Sequence, residues 1–491
     1  MAATQLNTTI DPLKPIVNEI PQGSPPALPA LGSGAHPSKY WYEEIDHNGI
    51  SPFIANGTSW KVYRNVKDYG AKGDGVTDDA MAVQAAIDAG GRGPGGNGLG
   101  TTGAPAVIYF PEGIYVLGKT INSYVDTFLI GNPLNRPTLK ASSNFNGSTF
   151  LNMYDPGQDS TTNFYIGVKN LVLDSTSYSP STPFLLMDYA VSQGTQLTNV
   201  LFEMPPSSQH TGVATPEGGS GTYMGNLDFE GGAIGINMNN QQYSVKTCTF
   251  TGTTTGILIS HGFDIVFQDM TFTNCQIGIN ATTGGVGNVG SYALIDSVAK
   301  SVQTVVLSKT QTDPTTGATT GDDSIVIDNL QTSNVDKTVV AGDVTLLKGS
   351  VPKTWVYGNA YLRGSPAGGV HDDGTTYQTL RSPLLVSGGN YFTMAPPTYQ
   401  QYSVDQVVNI KNVKGFPVYG DGQTVSFPVF SLNIDTDEYS RMIHIILISF
   451  SNAMPVVLLP SFHKAPTLCL IRSTSHQDLV SSEKLFQQSV R

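Results

Sequence analysis

Residues 226–251 read NLDFEGGAIGINMNNQQYSVKTCTFT, and the alternating segment NLDFE at their start returns as TCTFT 21 residues later (226 to 247). Related five-residue segments begin on either side, so that successive starts are 29, 27, 21, 22 and 23 residues apart: NLVLD at Asn170, NVLFE at Asn199, DMTFT at Asp269 and YALID at Tyr292. An interval that settles in the low twenties, with one short strand per repeat, is typical of stacked coils whose strands pair with those above and below.

Alternation within NLDFE separates an interior face from an exterior face. Successive residues of a strand point to opposite sides, so Leu227 and Phe229 are predicted to lie inside and Asp228 and Glu230 outside. We therefore predict an all-β protein whose main body is a right-handed, single-stranded parallel β-helix.

The composition excludes several other classes of protein. The 491 residues include 53 Gly and 30 Pro, 13% are charged, and the net charge is -12. This acidic balance argues against a nucleic-acid partner, and 39% hydrophobic residues argue against intrinsic disorder. No apolar run reaches the roughly 18 residues of a membrane-spanning helix. Cys248 and Cys275 are 27 residues apart, which is more than one coil, so no disulfide is predicted between them.

One helix signal precedes the repeats and predicts an N-terminal cap. Thr77 is the expected N-cap, Asp78 and Asp79 fall in the first turn, and Gly90–Gly91 end the helix. The residues that share its apolar face are Ala82, Val83, Ala86 and Ile87. Val107–Leu117 (VIYFPEGIYVL) then predicts two short strands split by a Pro-Glu-Gly turn.

The chain divides into four predicted parts. Residues 1–40 form a Pro-rich arm, and residues 41–411 form the β-helix domain. The motif NVKDYGAKGDGVT at 65–77 returns as NVKGFPVYGDGQT at 412–424, which predicts the start of a second, truncated β-helix. Residues 425–491 continue neither the motif nor the repeat, and our hypothesis is that this unrelated tail is a gene-model artefact from an unspliced intron.

Signals for localisation conflict. The first residues lack the basic start and apolar stretch of a signal peptide. Four N-x-S/T sequons, which suit a secreted glycoprotein but also arise by chance in such a chain, begin at Asn7, Asn56, Asn146 and Asn280.

Asp228 and Glu230 are the first pair of residues with catalytic potential. They project from the same side of one strand, about 6.5–7 Å apart by the strand rise. Inverting glycosidases hold two carboxyl groups roughly 6.5–9.5 Å apart, with room for an attacking water. The alternative is a solvated strand face.

Asn240-Gln241-Gln242-Tyr243 is a second candidate cluster. Amides both donate to and accept from sugar hydroxyls, and a Tyr ring can stack on a sugar. The alternative is an Asn/Gln ladder that runs along the coils.

Ser260 and His261 follow about one coil later, in Ser-His-Gly-Phe-Asp. This spacing is too tight for a Ser-His-Asp triad, so His261 is expected to form a hydrogen bond to a sugar. The sequence leaves the role of His210 equally undecided. No Cys/His/carboxylate spacing indicates a metal site, and no cofactor is expected.

Arginine is missing between Arg136 and Arg363. A β-helix that binds pectate holds many carboxylates, usually with Arg or Lys side chains or calcium, so this gap favours a neutral glycan. A polygalacturonase would also place its paired Asp before its His-Gly, whereas Asp322-Asp323 follow His261-Gly262 here.

Several longer motifs together resemble one glycoside hydrolase family. They are YWYEEIDHNGISPF (Tyr40–Phe53), YRNVKDYGAKGDGVTDD (Tyr63–Asp79), Val107–Leu117, Ile130–Pro133, NLDFEGG and Asn240–Gln242. In this order, over about residues 40–424, they are similar to the N-terminal half of the exo-β-1,3-glucanases of glycoside hydrolase family 55, in the pectate-lyase-like superfamily.

The resemblance implies two tandem β-helices with a cleft between them, and inverting hydrolysis that releases glucose from the non-reducing end. It implies that Gln241 or Gln242 positions water or sugar, while the general-acid glutamate belongs to the second β-helix and has no counterpart here. Relatives tend to carry a tryptophan-rich segment where this chain has Ser260–Phe263, so the local stacking platform differs.

These observations predict the first half of a secreted, monomeric β-1,3-glucan hydrolase, inactive alone, with no nucleic-acid or membrane partner. The alternatives are a non-catalytic glycan-binding β-helix and a pectin-active polygalacturonase or lyase. The expected catalytic residues are Gln241 and Gln242, and the expected substrate-binding residues are Asn240, Tyr243, Ser260, His261, Asp228 and Glu230.

Overall fold

The computed structural model describes residues 40–44, 47, 51, 53–55, 57–94, 101–216, 218–219, 221–285, 288–312, 319–321, 323–358, 371–377, 381–391, 450–451 and 454–455. The predicted arm apart from Tyr40, the predicted start of a second β-helix at 412–424 and nearly all of the predicted tail lie outside these residues.

The described elements are mostly strands. The helices are α1 (Trp41–Glu44) and α2 (Ala80–Asp88), with single 3-10 turns at Gly57–Ser59, Val66–Tyr69, Ser160–Thr162 and Pro383–Leu385. The strands are β1 (Tyr63–Asn65), β2 (Asp74–Asp78), β3 (Ala106–Phe110), β4 (Ile114–Asn122), β5 (Thr127–Gly131), β6 (Thr138–Asn152), β7 (Ile166–Asp174), β8 (Phe184–Asp188), β9 (Gln196–Glu203), β10 (His210–Thr215), β11 (Thr222–Glu230), β12 (Ile234–Asn239), β13 (Gln242–Thr251), β14 (Thr255–Thr273), β15 (Ile277–Asn280), β16 (Val289–Ser308), β17 (Thr310–Thr312), β18 (Thr319–Gly321), β19 (Ser324–Ala341), β20 (Val344–Leu347), β21 (Val351–Gly358), β22 (His371–Tyr377), β23 (Val386–Ser387), β24 (Asn390–Tyr391), β25 (Phe450–Ser451) and β26 (Met454–Pro455).

Each coil passes through three parallel sheets. The first sheet contains β1, β3, β5, the leading parts of β7, β9, β11, β13, β16 and β19, and the middle of β14. The second contains β2, β4, the start of β6 and the segments that follow the first sheet in each later coil. The third contains the end of β6, then β8, β10, β12, the start of β14, β15 and the ends of β16 and β19. The predicted right-handed parallel β-helix is confirmed.

A single residue per coil makes the bend between the first and second sheets. Each bend residue has a left-handed φ, a conformation that Asn and Asp tolerate better than most residues. The bend residues and their φ angles are Asn170 (60°), Asn199 (54°), Asn226 (54°), Thr247 (52°), Asp269 (60°), Asp296 (49°) and Asn329 (62°). Asn199 Nδ2 donates to Asn170 Oδ1 (2.9 Å), so part of the bend is an asparagine ladder.

The register corrects one repeat boundary. Tyr292 pairs with Ile265, not with Asp269, and Asp296 is the residue that continues the bend from Asp269. The last interval is therefore 27 residues (269 to 296) instead of 23. The error arose because YALID has the same alternation as the true repeat and lies four residues before it.

The interior contains the side chains that alternation predicted. Leu227 and Phe229 are fully buried, Glu230 is exposed, and Asp228 is half-buried on the outer face. The second sheet contributes a stack of parallel rings with centroids 4.7, 4.9 and 5.1 Å apart, made by Phe202, Phe229, Phe250 and Phe272. Cys248 and Cys275 are buried free thiols.

The capping helix begins later than predicted. α2 starts at Ala80 with Asp79 as N-cap, whereas Thr77 and Asp78 belong to β2. Thr77 is held in that strand because its hydroxyl donates to Asp74 Oδ2 (2.8 Å). The buried residues of the helix, which packs against β3 and β4, are Ala80, Val83, Ala86 and Ile87, so Ala82 lies only at the margin of the predicted face.

Antiparallel strands cover the C-terminal edge of the coil stack. β20 and β21 pair with β19, and β22 pairs with β21. Arg381 bonds the carboxylates of Asp296 (2.6 Å) and Asp328 (2.8 Å) at the same end. Such cover prevents open strand edges from pairing with another chain.

Candidate functional site

A shallow pocket of about 330 Å³ opens on the outer face of the first sheet. It lies across three successive coils, on β11, β13 and β14. Its lining residues are Gly221, Thr222, Tyr223, Gln242, Tyr243, Ser244, Asp264 and Val266.

The register of the sheet brings an amide and a carboxylate together in this pocket. Gln242 pairs with Asp264, which in turn pairs with Ser291. Both Gln242 and Asp264 are exposed, and neighbouring strands are about 4.8 Å apart. Ser291 Oγ donates to Asp264 Oδ1 (3.1 Å), which leaves the carboxylate able to accept further hydrogen bonds.

Tyr223 supplies an aromatic surface beside this row. A Cβ atom on Gly225 would meet the Tyr223 hydroxyl oxygen first and would lie 2.8 Å from Cζ, so the hydroxyl end of the ring lies over that glycine. Tyr223 is partly exposed and pairs in register with Ser244. A partly exposed ring held against the sheet is suited to packing on an apolar sugar face.

A buried clamp fixes the turn that leads into Gln242. Asn240 Nδ2 donates to Tyr243 Oη (2.7 Å), and Asn240 Oδ1 accepts from Gln241 N (2.7 Å). Both Asn240 and Tyr243 are 4% exposed, and burial raises the pKa of Tyr243 to about 12. Both side chains hold the turn, and Tyr243 also lines the pocket. The sugar contacts expected of Asn240 and Tyr243 stay predictions.

Gln241 and Gln242 differ in position. Gln242 is exposed and lines the pocket, whereas Gln241 is partly buried and lies outside the lining. The Gln241 carbonyl accepts from Phe263 N (2.8 Å), which ties the turn to the next coil. Their roles in positioning water or sugar stay predictions.

His261 lies next to this turn, as the coil spacing required. Its Nδ1 donates to the Asn240 carbonyl (3.1 Å), which leaves Nε2 as an acceptor in the neutral ring. Its ring meets the edge of Phe263, which is 53% exposed, at a centroid distance of 5.1 Å. Ser260 Oγ donates to the Met238 carbonyl (3.1 Å). Sugar contacts by His261 and Ser260 stay predictions.

Asp228 and Glu230 lie apart from the pocket. They follow the bend at Asn226 and belong to the second sheet. Burial raises the pKa of Asp228, while Arg136 acts in the opposite direction. Glu230 pairs in register with Glu203, whose pKa is raised first by burial and then by neighbouring carboxylates. This pair is therefore part of a charged outer face and is not joined to the amide cluster.

Tyr223, Ser244 and Asp264 are site residues that the sequence prediction missed. A usable signal existed for Asp264, because it follows Gln242 by 22 residues, the same interval that separates Thr247 from Asp269. Tyr223 and Ser244 share the outward alternation of their strands, but nothing in the alternation alone marks them as neighbours of a pocket.

The described residues contain no group of three or more His, Cys, Asp or Glu side chains arranged to hold a metal ion. Within the same part of the chain, no helix is long and apolar enough to cross a membrane.

Comparisons with known proteins give consistent relatives. Residues 63–280 match the family model described as rhamnogalacturonase A/epimerase, pectate lyase-like. The chain is 33% identical to a glucan 1,3-β-glucosidase of Cochliobolus carbonum, over 78% of this chain and 50% of that protein. It is 34% identical to a probable glucan endo-1,3-β-glucosidase of Arthroderma benhamiae, over 70% of this chain and 40% of that protein.

A third relative has a different kind of name. The chain is 31% identical to a non-secreted LysM effector of Penicillium expansum, over 79% of this chain and 32% of that protein. The chain thus spans half or less of the length of these relatives.

Proposed function

Because the chain is a pectate-lyase-like β-helix protein similar to fungal glucan 1,3-β-glucosidases, we propose that it binds β-1,3-glucan on the outer face of its first sheet, as part of a glucan-hydrolysing enzyme. The observation that carries this proposal is the pocket itself, in which the ring of Tyr223, the amide of Gln242 and the carboxylate of Asp264 converge.

These groups match the chemistry of a neutral sugar. Hydroxyls donate to a carboxylate and both donate to and accept from an amide, while the apolar face of a pyranose packs on an aromatic ring. None of the residues that line the pocket is Lys or Arg. A string of uronates would meet the negative charge of Asp264 with no cation in the lining to offset it, which disfavours a pectin substrate.

Hydrolysis with inversion requires two carboxyl groups, one to protonate the leaving oxygen and one to activate water on the opposite face of the sugar. Among the described residues, Asp264 is the one carboxylate that lines the pocket. We propose that a second β-helix supplies the general acid, as the family resemblance implies, and that Gln242 and Gln241 position water or sugar beside C1. Release of glucose from a chain end is the finer part of this proposal.

A non-catalytic glycan-binding role is the second candidate. The single carboxylate at the pocket in the described part of the chain favours it, because binding needs no acid and base pair. Secretion and action on cell-wall glucan as a monomer complete the proposal; the names of the relatives support the glucan as substrate.

Laminarin, a soluble β-1,3-glucan, tests the proposal. The 491-residue chain should bind laminarin in calorimetry, and Gln242→Ala should weaken this binding about 5- to 20-fold, because the hydrogen bonds of the amide to sugar hydroxyls are lost. Glu230→Gln on the second sheet is the matched control and should bind as the parent does.

Release of glucose separates the two candidates. The 491-residue chain should release little glucose, and fusing to it the part of a glucanase relative that it does not span should give release if the enzyme proposal holds. Laminarin binding without turnover in the fused protein would favour the glycan-binding module. If the parent chain does not bind laminarin, both candidate functions are refuted.

A further inference from the structure

The corner that precedes the first sheet has the same unusual backbone in four successive coils. The residue before the strand has a left-handed φ at Asp126 (58°), Tyr165 (55°), Gly194 (71°) and Gly221 (86°). The register aligns these four positions, since each lies one or two residues before the first residue paired along the first sheet, at matching offsets from Thr127↔Ile166, Gly167↔Gln196 and Gln196↔Tyr223. Glycine and Asp suit this conformation, whereas an aromatic side chain is strained there. A bulky residue held in a strained backbone is a reason to look for function.

Tyr165, like Tyr223, places its ring over a glycine. A Cβ atom on Gly194 would lie 2.9 Å from Tyr165 Cδ1 and Cε1, so the ring lies on the glycine of the next coil. Its side chain is 51% exposed. The Cδ1 and Cε1 atoms of the ring therefore lie over bare backbone while about half of the side chain faces solvent. Tyr223 contacts Gly225 through the hydroxyl end of its ring instead.

The same register places Tyr165 in one row with the pocket. The row continues through Gly194 and Gly221 to Gln242 and then Asp264. With about 4.8 Å between strands, Tyr165 stands roughly 14 Å from Gln242 along the coil axis. The two positions between them are glycines, so this row adds no side chain of its own to the path, although the Gln193 side chain lies against Gly221.

We propose that the glycan site is a track along the coil axis, and that Tyr165 is a stacking platform for a sugar unit several residues away from the pocket. This inference rests on the proposed binding of β-1,3-glucan. It makes affinity depend on chain length, because a short oligosaccharide that fills the pocket does not reach Tyr165, whereas a longer one does.

Calorimetry with laminaritriose and laminariheptaose tests the track. Tyr165→Asn removes the ring but keeps a residue that accepts a left-handed φ, so the fold should hold. It should weaken laminariheptaose binding about 3- to 10-fold and leave laminaritriose binding unchanged. Tyr165→Phe keeps the ring and should match the parent chain. Phe53→Ala, which removes an exposed ring elsewhere, is the matched control and should change neither affinity.

The outcomes separate this inference from the proposed function. If the parent binds both oligosaccharides and Tyr165→Asn loses neither or loses both equally, the track is wrong while glucan binding stands. If the parent binds neither sugar, the proposed function fails and the track fails with it. A melting temperature that falls in Tyr165→Asn, together with loss at both lengths, would assign the ring to folding and overturn the inference.

Discussion

The rings of Phe229 and Phe250 lie parallel in neighbouring coils, with centroids 4.9 Å apart and planes inclined by 3°. Three successive strands of the third sheet, β10, β12 and the start of β14, each place a glycine against a ring of this stack. A Cβ atom on Gly235 would lie 2.7 Å from Phe250 Cδ1 and 2.6 Å from the Gly256 carbonyl oxygen, and Cβ atoms on Gly212 and Gly256 would lie similarly close to Phe229 and Phe272. In these coils a phenylalanine ladder on the second sheet packs against a glycine ladder on the third. Because the glycines have no side chains, the two sheets lie close enough for the rings to fill the space between them.

Gly235→Ala should lower the free energy of unfolding by about 1–3 kcal/mol, because the new methyl group overpacks a closed interior. Gly93→Ala is the control, since a Cβ atom there meets nothing within 4 Å and Gly93 has no positive φ. Urea titration of both variants and the parent measures the effect. Equal stability of the two variants would contradict the packing argument.

The sequence placed Phe229 in the interior but predicted neither the phenylalanine ladder nor the glycine ladder. Alternation fixes which residues of a strand point inward, so Phe229 was placed correctly from NLDFE alone. Gly235 has no side chain to alternate, and its role depends on which ring faces it across the coil. The same limit explains the misplaced repeat at Tyr292, because a coil of 27 residues and one of 23 contain the same local alternation.

Acid should destabilise the fold through His210. Its Nε2 donates to the Ser179 carbonyl (3.0 Å), so in the neutral ring Nδ1 accepts from Ser175 Oγ (2.9 Å). Burial lowers the pKa of His210 below the usual 6.5, and a backbone hydrogen bond opposes this only in part. The unfolded chain therefore takes up the proton first. The stabilisation is present above about pH 6.5 and is lost as the pH falls through 6.5 toward the lower folded pKa.

The free energy of unfolding at pH 7.5 and at pH 5.5 checks this expectation. The parent should be less stable at pH 5.5, and His210→Gln should show a smaller difference between the two conditions. Burial also lowers the pKa of His47, so His47 should account for part of the pH dependence of stability that remains in His210→Gln. If the difference in the free energy of unfolding between pH 7.5 and pH 5.5 were the same in His210→Gln as in the parent, the assignment to His210 would be wrong.

Asn240→Ala should damage both the fold and the site. It removes the partner of Tyr243 Oη and of Gln241 N, and unmet buried polar groups cost about 1–3 kcal/mol. Because this turn positions Gln242, laminarin affinity should fall as well. Asn237→Ala, on a partly exposed position of β12, is the control and should affect neither measurement. Reduced stability with unchanged laminarin affinity would separate the turn from the site.

The turn also shows what the sequence could say about the site. The cluster at Asn240–Tyr243 was visible because its amides are consecutive. Asp264 and Tyr223 come from the coils on either side, and only the register between coils makes them neighbours of Gln242. The burial of Tyr243 could not be predicted either, because the sequence at the start of a strand does not tell whether a tyrosine ring faces a sugar or the core.

Asp264→Asn tests whether charge at the pocket selects the substrate. The change keeps the shape and removes the negative charge, and charge-assisted hydrogen bonds are roughly twice as strong as neutral ones. Laminarin affinity should fall about 3- to 10-fold. Binding of carboxymethylated β-1,3-glucan should improve relative to laminarin, most clearly at low salt, because a repulsion is removed.

Asp228→Asn is the matched control, because Asp228 lies beyond the bend at Asn226 and outside the pocket. It should leave the preference between the neutral and the carboxymethylated glucan unchanged. If Asp228→Asn instead shifted this preference and Asp264→Asn did not, the glycan would lie on the second sheet. Asp228 and Glu230 would then be the residues to test as general acid and general base, because the spacing expected for them along the strand fits the separation that inversion requires.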